Sequence, residues 1–344
     1  MHCTLNPWRQ VAGLLCLGFV SAALAARPHP LVIAHRGASG YLPEHTLPAK
    51  ALAYAQGADF LEQDVVLSRD GIPVVLHDVQ IDTVTDVARR FPERKRTDGR
   101  FYAIDFTVAE LRQLEATERF DPKTGKAVFD RRFPLGRSTF HLHTFEQELQ
   151  FIQGLNRSTG RNVGIYPEIK APAWHRREGK DISRIVLDML WRYGYRTKTD
   201  PVFVQCFEYS EVRRLRLELG YQGRLIQLLG SRRGVDGTDY EFLQTTAGLE
   251  LLAGVADGIG PALSQVVRAK AGGGPQVTDL VARAHELKLQ VHPYTLRIDE
   301  LPAYASSFDQ LLNLFFREAG VDGAFTDHPD RVADFLANFS PPRP

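Results

Sequence analysis

A parallel (β/α)8 barrel, an α/β fold with a small insertion after its third strand, is the architecture this sequence predicts. Three observations lead to it. Nine short, apolar runs rich in Val, Ile, Leu and Phe recur along the chain, helix-periodic segments separate most of them, and polar clusters stand at the ends of the early runs. Alternating strand and helix signals at this interval describe βαβ units around a parallel sheet. Strands covered on both faces read as continuous apolar runs, as these do.

The chain has 344 residues, enough for a barrel of about 250 residues with insertions. Strands are expected at 31–35, 59–66, 73–77, 163–169, 201–207, 224–229, 255–259, 289–294 and 322–326. Helices are expected at 46–56, 145–155, 181–192, 209–219, 277–287 and 329–338. In the first helix Leu47, Ala51, Leu52 and Ala55 share one face at helical spacing. Nine strand signals compete for eight barrel places, and the surplus one is expected among the later three or four.

Residues 79–143 break the rhythm and read as a long insertion on the carboxyl-end face of the barrel, where it would roof a site. Its basic run, RRFPERKRTDGR (89–100), also holds Glu93 and Asp98, the pattern of a solvated, ion-paired surface. A second insertion, 230–254, reads as a loop with a short helix. The formal net charge of +1 gives no basic excess of the kind a nucleic-acid partner requires.

At the amino terminus Arg9 precedes VAGLLCLGFVSAALA, which ends in Ala23-Leu24-Ala25. A basic residue, a short apolar stretch and an A-x-A ending describe a secretory signal peptide, residues 1–25, cut after Ala25. The stretch falls short of the roughly 20 residues of a membrane span, so no stable membrane insertion is expected. Residues 26–344 then form one domain. Its single cysteine, Cys206, lies in VFVQCF and reads as a small buried hydrophobe.

Chemistry gathers at the strand ends. Glu62 and Asp64 are two apart on an expected strand, so both carboxylates face one side and Gln63 the other. Like charges held that close call for a cation or a shared proton. Glu168, ending the strand 163–169, supplies a third oxygen, and three carboxylates without nearby cysteine suit calcium or magnesium. His35 and His77 end different strands and suit proton transfer on opposite sides of a substrate. Arg36 and Lys170 carry charge suited to phosphate oxygens or to balancing the carboxylates. His141, His143, His175, His285 and His328 lack such framing and read as structural, with His292 intermediate. The whole set suits metal-assisted phosphoryl chemistry on a small molecule.

The strings HRGASGYLPEHTLPAK (35–50), LEQD (61–64), VVLHD (74–78), TDGRFYAIDF (97–106), YPEIKAP (166–172), QCF (205–207), HPYT (292–295) and FTD (325–327) together resemble the glycerophosphodiester phosphodiesterases, and among them the exported, periplasmic bacterial branch. The resemblance spans nearly the whole chain after the leader. It implies a (β/α)8 barrel that hydrolyses glycerophosphodiesters, such as glycerophosphocholine and glycerophosphoethanolamine, to sn-glycerol 3-phosphate and an alcohol. It also implies His35 and His77 as the acid/base pair, Arg36 as a phosphate ligand, Lys170 near phosphate or metal, and Glu62, Asp64 and Glu168 as ligands of a calcium ion. His45 stands where asparagine is usual and Tyr294 where tryptophan often precedes the threonine, which touches the glycerol contacts. Two other functions share this barrel: a phospholipase acting on intact lipids, and a surface or binding protein using another face.

Overall fold

The computed structural model describes residues 29–338; the expected leader, 1–25, lies outside them. Eight parallel strands form the barrel: β1 (Leu31–Ala34), β2 (Phe60–Leu67), β3 (Gly164–Ile169), β4 (Phe203–Cys206), β5 (Arg224–Leu229), β6 (Gly258–Pro261), β7 (Gln290–Val291) and β8 (Gly323–Thr326). They neighbour one another in chain order, and β1 pairs with β8 from Leu31↔Gly323 to Ala34↔Thr326. Between β7 and β8 the ring is carried by the amides of Asp322 and Phe325, which donate to the carbonyls of Val291 and Pro293 at 3.1 and 3.0 Å.

A helix follows each strand on the outside: α1 (Leu47–Ala55), α2 (Phe145–Thr159), α3 (Ile182–Arg192), α4 (Tyr209–Leu217), α5 (Thr246–Ala253), α6 (Leu280–Glu286), α7 (Phe308–Leu312, continued as a wider turn over Asn313–Ala319) and α8 (Pro329–Ala337). The sequence reading omitted α7 and gave the region of α5 only a short helix within a loop.

The surplus strand is the third in the chain, not one of the later ones. Pro73–Val75 runs antiparallel to β2, pairing Val65↔Val75 through Leu67↔Pro73. The chain reverses through Asp70-Gly71, with Gly71 at φ +77°, a conformation that glycine adopts without steric cost. The apolar run 73–77 therefore belongs to a hairpin on β2, and the long insertion lies between the second and third barrel strands. That insertion has a small core of its own, in which Ile81, Val87, Phe101, Phe106, Leu111 and Leu114 pack with Val66, Val74 and Leu76 of the hairpin. Its basic run is ion-paired: Arg96 with Asp105 and Glu178, Arg100 with Asp82, and Arg94 with Glu110.

Inside the barrel, Ile33, Phe60, Tyr166, Phe203, Ile226 and Phe325 fill a layer beneath the mouth. Tyr166 stacks on Phe203 at 4.9 Å between ring centroids, and its hydroxyl lies 2.9 Å from Nδ1 of the buried His292. This packed floor closes the barrel below and leaves the carboxyl ends of the strands to carry the site, as in other barrels of this type.

In the first helix the buried residues are Ala49, Lys50, Ala53 and Tyr54, and Leu52 of the apolar stripe packs against the core half-buried. Fully buried Lys50 lies 3.0 Å from Glu148 of α2, itself fully buried, and also donates to the carbonyl of Glu62. The second Glu148 oxygen meets His143 at 2.6 Å, and Gln63 donates to the first at 2.8 Å. Removing one partner of a buried ion pair strands the other charge, at a cost of about 3–5 kcal/mol. Lys50→Ala should therefore lower the free energy of urea unfolding by about that amount. A loss below about 1 kcal/mol would mean that Glu148 is held by His143 and Gln63 alone.

Candidate active site

The carboxyl ends of β1, β2 and β3 and the hairpin arm bring the expected residues together. A cavity of about 470 Å³ is lined by His35, Arg36, Glu62, Asp64, His77 and Glu168, with Gln205, Phe207, Leu228, Tyr294 and Tyr304 completing its walls. Glu62 and Asp64 leave β2 on the same side, as the two-residue period requires, while Gln63 turns outward to Glu148. In parallel register Asp64 faces Glu168 across β2 and β3. His77 arrives by the hairpin: the amide of Leu76 donates to the carbonyl of Asp64 at 2.9 Å, which sets His77 beside the carboxylates.

The β1 loop is shaped by left-handed residues. Arg36 has φ +60° and Gly37 φ +89°, and a Cβ on Gly37 would lie 2.8 Å from the backbone of Ala49. Non-glycine residues adopt this region only where surrounding contacts compensate. Here the turn aims the Arg36 amide at Glu62 Oε2, at 2.6 Å. The Arg36 side chain reaches Glu44 at 2.9 Å and leaves its buried Nε without a hydrogen-bond partner, 3.6 Å from Asp64.

Burial pushes Glu62 well above the usual carboxylate range, and neighbouring Asp64 adds to the push. Burial acts on Asp64 in the same sense, but Lys170, His77 and His45 outweigh it and hold Asp64 low. Glu168 is pushed up to about 8 by burial and by Asp64, against the pull of Lys170. Lys170 lies 2.8 Å from Glu168 and 3.5 Å from Asp64, so in this arrangement it balances the carboxylates. Burial and the positive charge of Arg36 lower both His35 and His77 to about 4. For His77, whose side chain stays 30% accessible, solvent moderates the burial contribution.

A divalent cation fits this donor set. Asp64 Oδ1 is buried without a hydrogen-bond partner, and the Asp64 charge pushes up both Glu62 and Glu168, the repulsion that a cation between close carboxylates relieves. Donor atoms of His45, Glu62 and Asp64 lie within 4.8 Å of one another. His45 was not among the expected metal ligands; it sits at φ +58° with Nε2 2.7 Å from Asp64 Oδ2. Glu168, which was, is turned to Lys170.

A second, charged recess of about 240 Å³ is also lined by His35, Arg36 and His77 and is walled by Arg119, Phe129 and Arg132 of the insertion. Arg119 bridges Glu44 and Asp78 at 2.6 and 2.8 Å. His35 Nδ1 lies 2.6 Å from Asp327 Oδ1. Sequence reasoning passed over Glu44, Arg119, Arg132 and Asp327; only Asp327, at the end of β8, carried a positional signal. The other histidines have structural partners: His141 with the Leu114 carbonyl, His175 with Leu67 and Ala171, and His285 with Asp322. His328 packs edge-on against Tyr41. Cys206 is buried and free.

The profile of the Glycerophosphoryl diester phosphodiesterase family matches residues 35–331. The chain belongs to that family. A glycerophosphodiester phosphodiesterase of Haemophilus influenzae is 43% identical over 89% of each chain, and one of Treponema pallidum is 40% identical over 93% of this chain and 96% of its own. Among solved structures, one from Silicibacter pomeroyi described as a glycerophosphoryl diester phosphodiesterase superposes with a TM-score of 0.68 at 24% identity, over 91% of this chain and 95% of that one. A phosphodiesterase of Oleispira antarctica, solved with sn-glycerol 3-phosphate as its product, superposes with a TM-score of 0.59 at 21% identity, over 90% and 97%. Both have the same barrel. This family member is therefore an enzyme, a glycerophosphodiester phosphodiesterase, whose cavity combines two histidines with buried carboxylates suited to a divalent cation.

Proposed function

We propose that the protein hydrolyses water-soluble glycerophosphodiesters, such as glycerophosphocholine and glycerophosphoethanolamine, to sn-glycerol 3-phosphate and the free alcohol, using one calcium ion. The observation that carries this reading is the placement of His35 and His77 on one cavity with Glu62, Asp64 and Glu168. One imidazole accepts a proton from the attacking oxygen and the other returns one to the departing alcohol. Arg36, with its unpartnered Nε, binds a phosphate oxygen, where a guanidinium matches the geometry. Glu62, Asp64 and Glu168 hold the cation, with His45 beside them, and Lys170 keeps their summed charge in check. When bound, the ion polarises the phosphoryl group and offsets developing negative charge. The apolar wall formed by Phe207, Leu228 and Tyr294 keeps bulk water from part of the cavity, which strengthens the charges inside it. The Oleispira protein's product complex supports glycerol phosphate as the retained half.

The same reading places the enzyme in the periplasm after removal of residues 1–25. Among the described residues no helix is long and apolar enough to cross a membrane. Purified protein with added calcium should release sn-glycerol 3-phosphate from glycerophosphocholine and leave phosphatidylcholine vesicles intact. Release of glycerol 3-phosphate from neither substrate, or faster turnover of the intact lipid, would defeat the substrate assignment. Intact mass of protein recovered from an exporting bacterial host should correspond to a chain beginning at Ala26.

A further inference from the structure

We infer that Asp327 is the positioning residue for His35 and that Arg132, reaching in from the insertion, makes that insertion a working part of the catalytic apparatus. The inference rests on the acid/base reading of His35 given above.

Asp327 follows β8 and is 1% exposed. Its two oxygens have different duties: Oδ1 lies 2.6 Å from His35 Nδ1, while Oδ2 receives Arg297 Nε at 2.6 Å and Arg132 Nη2 at 2.7 Å. Two guanidinium groups on one oxygen keep the carboxylate ionised and fix its plane. An anionic acceptor at Nδ1 holds the imidazole proton there and presents Nε2 to the cavity as the acceptor. The same carboxylate stabilises the imidazolium formed when Nε2 takes a proton, the role an aspartate has behind the histidine of a hydrolytic triad.

Arg132 is saturated on the barrel side. Besides Asp327 it grips Asp299 through Nε and Nη2, at 2.8 and 3.0 Å, and donates from Nη1 to the carbonyl of Ser39 at 3.3 Å. Its guanidinium carbon lies 3.6 Å from the centre of the Phe129 ring. Ser39 in turn donates to the carbonyl of His35 at 2.8 Å. One insertion residue thus joins the loops after β1, β7 and β8 at the point where His35 must be aimed. Among the described residues no other hydrogen-bond acceptor stands at His35 Nδ1, so the orientation of that ring depends on this cluster and on its edge contact with Phe325.

The test combines kinetics with the state of the ring. In ¹⁵N NMR of the wild-type protein at pH 7, His35, assigned by its loss in His35→Gln, should be the Nδ1-protonated tautomer; the Nε2-protonated form would overturn the proposal without any variant. Asp327→Asn should lower kcat for glycerophosphocholine by about 10²–10⁴-fold, with KM changed less than about threefold. Asp327→Glu should recover part of the loss. Arg132→Ala should lower kcat by a smaller factor, about tenfold, because Arg297 alone would then hold Oδ2. A folded Asp327→Asn protein with kcat within about threefold of wild type, alongside an inactive His35→Ala, would overturn the inference while leaving the acid/base reading intact. Full activity of His35→Ala would instead sink the reading beneath it.

Discussion

His35→Ala and His77→Ala should each lower kcat for glycerophosphocholine by about 10²–10⁴-fold, the usual worth of a positioned proton donor or acceptor. The two imidazoles approach one cavity from different strands, one after β1 and the other after the hairpin on β2. Neither lies under the apolar layer that holds the barrel together, so the loss should appear in kcat and not in folding. The double variant should lose little more than either single one, since residues that act in one step are far from additive. Steady-state kinetics on the three variants, with thermal unfolding as the folding control, measures this directly. Multiplicative losses in the double variant would mean that the histidines serve separate steps.

The second large effect concerns the cation. Removal of divalent ions by a calcium-selective chelator should abolish turnover, and calcium should restore it more fully than magnesium. Glu62→Gln should stay inactive at calcium concentrations that saturate the wild type. Without the ion, Glu168 is protonated up to about pH 8 and Glu62 is also raised, while in the unfolded chain both ionise near 4.5. A native state that keeps protons the unfolded state has lost becomes less stable as pH rises between those values. These two carboxylates therefore take stability from the metal-free protein from about pH 5 towards pH 8, while His35 and His77, lowered to about 4, act in the opposite sense up to about pH 6.5, so the net fall should show between about pH 6.5 and pH 8. The ion competes with those protons, so calcium should raise the unfolding temperature more at pH 8.5 than at pH 5.5. Saturation at a hundred times Kd adds about 2.7 kcal/mol. Equal shifts at both pH values would remove Glu62 and Glu168 from the binding site.

Much of this was legible in the chain. Strand periodicity alone placed Glu62 and Asp64 on one side, because alternation along β2 is geometric and needs no tertiary information. The surplus strand was misassigned although Asp70-Gly71 between two apolar runs is a hairpin signal; length and composition do not separate a hairpin arm from a barrel strand. Lys50 was invisible for a different reason. A lysine at helical spacing reads as solvent-facing unless its buried partner, here Glu148, about a hundred positions away, is known. Asp327, Arg132 and Arg119 act through contacts that join distant stretches, and apart from the place of Asp327 at the end of a strand no local pattern marks them. His45 was noticed as a departure from the family's usual asparagine, but only the folded loop carries it to Asp64.

The hairpin brings the two ends of the insertion together. Where the chain leaves it and where it returns lie side by side, with Val74 bridged to Thr144 and the amide of Val75 donating to the carbonyl of His143 at 3.3 Å. The barrel meets the excursion as a pair of abutting ends, and closing a longer or shorter loop between such ends changes the entropy only slowly with length. The excursion is thus an exchangeable cassette: its interior can be rebuilt without re-registering a single barrel strand, provided the replacement again delivers a cation to Asp327.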